Sequence, residues 1–239
     1  MGNNVDQLVE EFYAKLQSNE CYHVFVTLRD LLRSLKILPE KSQKDFSVKI
    51  ANMIYLKGYE AYEKRELDSL SLMFDCEEIV YRQYPDDKEI ALSFILLNSG
   101  VLNVMLKSGE YDNLYTFQKN AEEIFNKFPT NEDIGRECMN CNAVLQANYL
   151  MAASETGTPA PFLSSAEKTV DNMETISSDF PLNEYMNLLY CNTLETTANE
   201  FLYHQNAEKF KKCIGLLKNL VQTRTFDVPK DIPGYLKMV

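Results

Sequence analysis

The sequence predicts an all-α protein, an α-solenoid built from about five antiparallel helical hairpins. Pro39, Pro85, Pro129 and Pro181 are spaced 46, 44 and 52 residues apart, and a period in this range is typical of stacked helical hairpins. Between the prolines, apolar residues fall at three- and four-residue steps, whereas the alternation typical of strands is scarce. These observations indicate one repeating unit, a pair of helices closed by a proline.

Ten apolar windows with helical spacing follow one another along the chain. They cover residues 5–16, 24–35, 46–62, 67–80, 90–105, 115–125, 138–151, 166–176, 185–202 and 210–221. Taken in pairs, they predict hairpins at about 4–39, 44–85, 88–129, 132–181 and 184–222. With 239 residues and 45% hydrophobic content, the chain is long enough for one continuous core, so we expect a single domain over 1–239.

The junctions between hairpins share a pattern around each proline. An aromatic residue precedes three of them, as in Tyr84-Pro85, Phe128-Pro129 and Phe180-Pro181. Proline disfavours a helical conformation in the residue before it, so one helix ends there. An oxygen-bearing side chain then follows and can cap the next helix. The predicted caps are Ser42, Asp87, Asn131 and Asn183.

Two segments depart from the repeat. Residues 154–161 contain Gly157, Pro159 and Pro161, and they predict a longer loop within the fourth hairpin, which explains the 52-residue gap. The tail, 223–239, has prolines that interrupt a helix but keeps an apolar set, so we expect it to cap the last hairpin rather than to dock a partner. That set is Phe226, Val228, Ile232, Tyr235, Leu236 and Met238.

The formal net charge is −11, and it is uneven along the chain. Residues 201–239 carry a net +4, so residues 1–200 carry −15. An acidic body repels phosphate backbones, which disfavours nucleic acid as a direct ligand. A basic peptide or a basic protein face is the natural electrostatic partner; alternatively, the charge only keeps the protein in solution.

Catalytic and metal-binding patterns are not found in the sequence. Cys138 and Cys141 have the spacing of redox and zinc sites, but a zinc site lacks a second ligand pair, since the only histidines are His23 and His204. On a helix, a three-residue spacing places both thiols on one face, where cysteine packs as a small core residue. We therefore predict reduced structural cysteines, no catalytic residues, no bound metal, no cofactor and no enzymatic activity.

The sequence predicts a cytoplasmic protein that does not insert into a membrane. Acidic and amide residues occupy the region where a secretory leader needs a basic and then an apolar run. The longest apolar stretch, 91–106, is interrupted by Ser93, Asn98 and Asn103, which is typical of a buried helix.

One segment of the chain resembles a known repeat. Residues 109–121 together with Pro129 resemble the second half of a tetratricopeptide repeat, with Gly109 at the turn, Tyr111 and Leu114 entering the helix, and a small residue, Ala121, at its middle. Gly58 and Ala61 are similar to the close-packing small positions of its first helix. The chain departs from the family in having no tryptophan and a period longer than 34 residues.

The resemblance implies a right-handed superhelix whose first helices line a concave groove for an extended peptide or a partner helix. The function it implies is that of an interaction scaffold or adaptor, a subunit of an intracellular assembly; the alternative is an enzyme or small-molecule binder with a pocket between the first helices. A stripe of amides and tyrosines on these helices suits contact with a peptide main chain, although such residues also occupy the wet side of any helix. The predicted partner-binding residues are Asn52, Tyr55, Tyr59, Tyr62, Asn98, Asn103, Lys107, Asn142, Gln146, Tyr149, Asn192, Thr196, Asn199 and Tyr203.

Overall fold

The computed structural model describes residues 2–18, 21–224, 226–229 and 232, and this part of the chain contains ten α-helices and no β-strand. The all-α class is therefore confirmed, and each of the ten apolar windows lies inside one helix. In chain order the helices are α1 (Gly2–Ser18), α2 (Cys21–Leu35), α3 (Glu40–Lys64), α4 (Leu67–Gln83), α5 (Lys88–Ser108), α6 (Leu114–Lys127), α7 (Glu132–Glu155), α8 (Pro159–Asp179), α9 (Glu184–Tyr203) and α10 (Ala207–Thr223).

The chain divides into two compact units, Met1–Val104 and Met105–Val239. We call them unit 1 and unit 2. The sequence predicts one domain over 1–239, and the joining of the two units into one body stays a prediction.

Unit 1 buries the facing sides of its helices. Each of α1, α2 and α3 packs on the helix that follows it, and α1 also packs on α3 as α2 does on α4. The side chains of Phe12, Leu28, Ile54 and Leu70 are fully buried between them. This burial of apolar surface is the main favourable contribution to folding.

Unit 2 follows the same order of packing. Neighbouring helices from α6 to α10 pack on each other, and α7 also packs on α9 as α6 does on α8. Two hydrogen bonds join α7 to α9 and to the residue before it. The Asn183 amide donates to the Glu132 carboxylate at 2.7 Å, and the Gln146 amide donates to the Thr197 hydroxyl at 2.7 Å. Because both bonds span 51 residues, α7 and α9 run parallel with a constant offset.

The three aromatic-proline junctions have nearly the same backbone conformation. Tyr84 has φ −128° and ψ 57°, Phe128 has −127° and 50°, and Phe180 has −122° and 60°. In each junction the carbonyl oxygen of the aromatic residue accepts a hydrogen bond from the amide three residues later, at 3.0 to 3.2 Å. The same local sequence pattern thus produces the same turn at all three junctions.

Three of the four predicted helix caps are confirmed. The Asp87 side chain accepts from the amides of Glu89 and Ile90, and the amides three residues after Asn131 and Asn183 donate to those side chains. The prediction of Ser42 as a cap was wrong. The helix α3 already begins at Glu40, directly after Pro39, so Ser42 lies within its first turn.

The predicted long loop at 154–161 is mostly helical. The helix α7 extends to Glu155, and α8 begins at Pro159, which leaves only 156–158 as the connection. Proline is well suited to the first position of a helix because its missing N–H has no partner there in any case. The residues that lengthen this hairpin therefore extend its helices.

The helix α5 is long and apolar enough to cross a membrane, with a window of mean hydropathy 1.7, the one such helix in the part of the chain that the structure describes. However, 67% of that window is buried within the structure. A core helix passes the same test of length and composition, so the finding is weak evidence for a membrane span.

The cysteines and the tail are described in part. Cys76, Cys138, Cys141, Cys191 and Cys213 are free and buried, and burial raises the pKa of the Cys213 thiol to about 12. In the tail, Ile232 is fully buried. Of the other apolar residues assigned to the cap, Phe226 is half-buried and Val228 is 36% exposed. Tyr235, Leu236 and Met238 lie outside the described residues, so the capping role stays a prediction.

Candidate functional site

In unit 1, the predicted tyrosines form a ladder along α3. The rings of Tyr55 and Tyr59 lie 6.5 Å apart, and those of Tyr59 and Tyr62 lie 6.4 Å apart. Tyr59 is 49% exposed, and the Glu63 carboxylate raises the pKa of its hydroxyl. Asn52 is exposed one turn before Tyr55. These four residues therefore share an accessible helix face.

The predicted residues on α5 are less accessible. Asn98 is fully buried, so it does not face solvent as the sequence suggested. The Asn103 amide is half-buried and donates to the Ser99 carbonyl at 2.9 Å, one turn back in its own helix. Lys107, near the end of α5, is exposed.

In unit 2, the predicted residues of α7 lie in the interior, which corrects the expectation of an open stripe on this helix. Asn142, Gln146 and Tyr149 are 1%, 3% and 3% exposed. Each is held by an internal bond: the Asn142 amide donates to the Cys138 carbonyl, the Gln146 amide donates to Thr197, and the Tyr149 hydroxyl donates to Gln118. Polar side chains remain inside because such bonds replace those to water.

The predicted residues of α9 are at the surface. Asn192, Thr196, Asn199 and Tyr203 are all exposed, Tyr203 to 77%. Their spacing of three to four residues places them on one side of the helix.

The structure extends this side with residues that the sequence interpretation had missed. On α9 these are Tyr185, Leu188 and Leu202, exposed to 50%, 36% and 52%. On α7, Met151 is 42% exposed, and its half-buried neighbours on the same helix side are Asn140, Ala143, Val144 and Ala147. For the residues of α9, the only sequence signal was their spacing relative to Asn192, because apolar residues on a helix are first assigned to the core.

We call the exposed sides of these two helices together the α7–α9 face. A hydrogen bond of 2.6 Å from the Tyr185 hydroxyl to the Asn140 side-chain oxygen joins the two sides at the surface. At 1.5 Å per residue, the stretch from Tyr185 to Tyr203 is roughly 27 Å long. The face therefore offers a continuous strip of apolar, aromatic, amide and hydroxyl groups.

The centre of the α7–α9 face is almost free of charge, and its borders are acidic. No charged residue lies between Glu137 and Glu155 on α7, or between Glu184 and Glu195 on α9. The two helices together carry seven acidic residues and a single basic one, Arg136. Charge distributions of this kind affect how fast charged molecules approach a surface.

The side chains that commonly bind metal ions are not clustered in the described part of the chain. No group of three or more His, Cys, Asp or Glu side chains among them is arranged to hold a metal ion. Cys138 and Cys141 are both fully buried, and burial raises the pKa of the Cys138 thiol well above its ordinary value. A thiol with a raised pKa is a poor nucleophile and a poor metal ligand at neutral pH.

Comparison with known proteins gives no relative for this chain: no family model matches it, and neither does a curated protein or a solved structure.

Proposed function

We propose that this protein is an interaction scaffold that binds a segment of a partner protein on the α7–α9 face. The observation that carries the proposal is a strip with two exposed tyrosines and two exposed leucines, uncharged on α9 from Tyr185 to Leu194, in a chain of net charge −11. Contiguous exposed apolar surface in a soluble unit is typical of interaction sites. Tyrosine adds a large contact area with a polar tip, and amides can pair with a peptide main chain.

The proposed partner segment has an apolar centre flanked by basic residues. Its centre covers Leu188 and the small residues Ala143 and Ala147, while its ends meet the acidic borders. Such a segment fits both the surface chemistry of the two helices and the acidic body of the protein. We further propose that the protein works inside the cell as a subunit of a larger assembly.

We also propose that the hairpins stack as a tetratricopeptide-like solenoid within each unit. The repeated junction geometry supports this arrangement, as do the hydrogen bonds that join neighbouring hairpins. Those bonds span 51 residues from Gln83 to Leu32 in unit 1, and 50 and 51 residues in unit 2. A constant offset is expected when each hairpin repeats the position of the previous one.

The experiment starts from a peptide library displayed on phage and selected on the purified protein. We expect the enriched peptides to share an apolar centre with lysine or arginine on both sides. In the variant Leu188→Ser with Tyr203→Ser, binding of a selected peptide should weaken at least tenfold, because losing about 1 to 2 kcal/mol of contact at each position exceeds 1.4 kcal/mol in total.

The matched control is Tyr115→Ser. Tyr115 is an exposed tyrosine of unit 2, at 66%, but it lies on α6, with its ring centre 5.8 Å from the Lys168 ammonium of α8. This variant should bind the peptide within twofold of the wild type. The proposal fails if Tyr115→Ser weakens binding as much as the double variant, or if the double variant binds like the wild type.

A small-molecule binder remains the alternative, and one cavity favours it. A cleft of about 650 Å³ in unit 1 lies between the start of α3 and the junction before α5. Lys44 and Asp87 meet there at 3.2 Å, next to Gln83 and Tyr84. Thermal shift measurements with a panel of metabolites would identify a ligand of this cleft, and Lys44→Ala would then reduce the shift.

A further inference from the structure

A polar pocket lies in unit 2, between α6 and α8. The pocket has a volume of about 130 Å³. Its deepest part is formed by the buried residues Phe125, Asn142 and Ile176. Glu122 and Asn172 line its more accessible part.

Hydrogen bonds inside the pocket occupy donors of Asn142, Asn172 and Thr175. The Asn172 amide donates to a Glu122 oxygen at 3.0 Å and lies 3.4 Å from the Asn142 side-chain oxygen. The Asn142 amide donates to the Cys138 carbonyl at 2.8 Å. Thr175 donates to the carbonyl of its own helix, at Asp171. The side chains that remain able to pair are therefore mainly acceptors.

The acceptors include one formal charge. The Asn172 amide and the Lys168 ammonium both contact Glu122 Oε1, whereas Glu122 Oε2 and Asn172 Oδ1 have no hydrogen-bond partner among the described residues. Asn126, at the mouth of the pocket, is exposed. A ligand that matches this set must supply several donors and a positive charge.

We propose that this pocket binds the guanidinium group of an arginine side chain from a partner protein. A guanidinium has five N–H donors in a planar fork and no acceptor, and it pairs with carboxylates through two parallel bonds. It is also weakly hydrated, so its faces tolerate apolar neighbours such as Phe125 and Ile176. An ammonium is compact and strongly hydrated, and it fits a partly apolar pocket less well.

Lys168 competes with the arginine for Glu122. Its ammonium lies 2.9 Å from Glu122 Oε1, yet its side chain is 50% exposed, so the ion pair contributes little to stability. The same ammonium lies 5.8 Å from the centre of the Tyr115 ring, which gives Lys168 a second favourable position when it leaves the carboxylate. Exchange of one cation for another at Glu122 is therefore feasible.

The test uses N-acetyl-arginine amide as the probe and follows the side-chain amide signals of Asn142 and Asn172 by NMR. We expect saturable shifts with a millimolar dissociation constant, since a single side chain offers few contacts. The N-acetyl amides of citrulline, which has the same shape without the charge, and of lysine should bind at least fivefold more weakly. Equal binding of either compound would overturn the proposal.

Two variants with opposite expected effects sharpen the test. Glu122→Gln should weaken arginine binding at least tenfold, because it removes a charge-assisted pair. The adjacent Glu123→Gln is the matched control and should leave binding within twofold. Lys168→Met should strengthen binding at least twofold because it removes the competing cation.

The Lys168 variant also keeps the proposal testable if Glu122→Gln fails to fold. Since Lys168 is half exposed, Lys168→Met should keep the wild-type melting temperature, whereas Glu122→Gln changes a half-buried group. Weaker arginine binding in Lys168→Met, or unchanged binding in a folded Glu122→Gln, would overturn the proposal. The residues that line the pocket are not part of the α7–α9 face, so Tyr203→Ser should leave arginine binding unchanged.

Discussion

Unit 1 and unit 2 offer contrasting examples of how a polar group is buried. In unit 1, Glu77 is fully buried on α4, and neither of its carboxylate oxygens has a hydrogen-bond partner among the described residues. It lies on the same helix side as Phe74 and Tyr81, whose rings both stack on Phe94, at 5.3 and 4.9 Å. Burial raises the pKa of Glu77 well above its ordinary value, so the group avoids charge by holding its proton.

In unit 2, several buried polar groups are paired across helices. The Gln146 amide donates to Thr197 at 2.7 Å, and the Ser177 hydroxyl donates to Asn187 at 2.9 Å. Both bonds link different helices, so they also fix how those helices sit. A protein interior therefore tolerates polar groups in two ways, by hydrogen bonds between them or by loss of their charge. Only the hydrogen bonds also fix the relative position of the two helices that they join.

The largest effect is expected from replacing the neutralised group. Glu77→Met should raise the free energy of unfolding by about 1 to 3 kcal/mol at neutral pH, because it removes an unsatisfied buried polar group at similar volume. Urea denaturation measures this change. Glu78→Met is the control: Glu78 is partly exposed and pairs with Arg82 at 3.2 Å, so no gain is expected.

The same variant should change the pH dependence of stability. Because the pKa of Glu77 is higher in the folded than in the unfolded state, the folded protein holds a proton that the unfolded chain releases above pH 4.5. The stability of the wild type should therefore fall as pH rises from 4.5 to the folded pKa. The advantage of Glu77→Met should grow over that window. A constant advantage at every pH would show that the carboxyl group is not neutral when folded.

An effect of similar size and opposite sign is expected from filling the space beside a helix glycine. A Cβ atom at Gly135 of α7 would lie 2.5 Å from the Phe180 ring, which is rigid and must move as a whole. Gly135→Ala should destabilise unit 2 by about 1 to 3 kcal/mol in thermal or urea unfolding. In unit 1, the atoms nearest to a Cβ at Gly58 include the flexible end of Leu97, so Gly58→Ala should cost less.

Gly215 of α10 provides the control for this pair. No heavy atom lies within 4 Å of a Cβ placed there, so Gly215→Ala should stabilise the protein by about 0.5 to 1 kcal/mol through helix propensity. If Gly135→Ala stabilises the protein by a similar amount, the packing of Phe180 on α7 is looser than the structure indicates.

The smallest effect concerns one pair in the polar interior of unit 2. The Tyr149 hydroxyl donates to Gln118 at 3.0 Å, and burial raises the pKa of this hydroxyl to about 12. Tyr149→Phe should cost about 1 kcal/mol because it leaves a buried Gln118 oxygen without its donor. Adding Gln118→Leu should recover part of that loss in urea denaturation. A double variant less stable than Tyr149→Phe would mean that Gln118 has a further structural role.

The local features of the fold could be predicted from the sequence, whereas the burial of polar residues could not. The Phe128-Pro129 turn and the Asn131 cap depend on a few consecutive residues, so their residue types determine them. The burial of Gln146 depends on Thr197, 51 residues away, and no local pattern reveals such a partner.

The same reasoning explains the outcome for the candidate site. Asn192 and Tyr203 are at the surface of α9, as expected from their polar character, but Asn142 has the same character and lies inside. Leu188 and Met151 were missed for the opposite reason, since apolar residues are assigned to the core unless a structure shows them exposed. Their role in binding a partner stays a prediction.

The packing of each helix on its near neighbours in the chain also has a consequence for how fast the chain folds. Within each unit, the helices that pack closely, among those described, are adjacent or next but one in chain order. Folding therefore closes only loops of about one hairpin, and the entropy lost in each closure is small. Proteins dominated by such local contacts fold in microseconds to milliseconds. A nascent chain could thus complete each hairpin soon after its proline leaves the ribosome, before the next hairpin has been made.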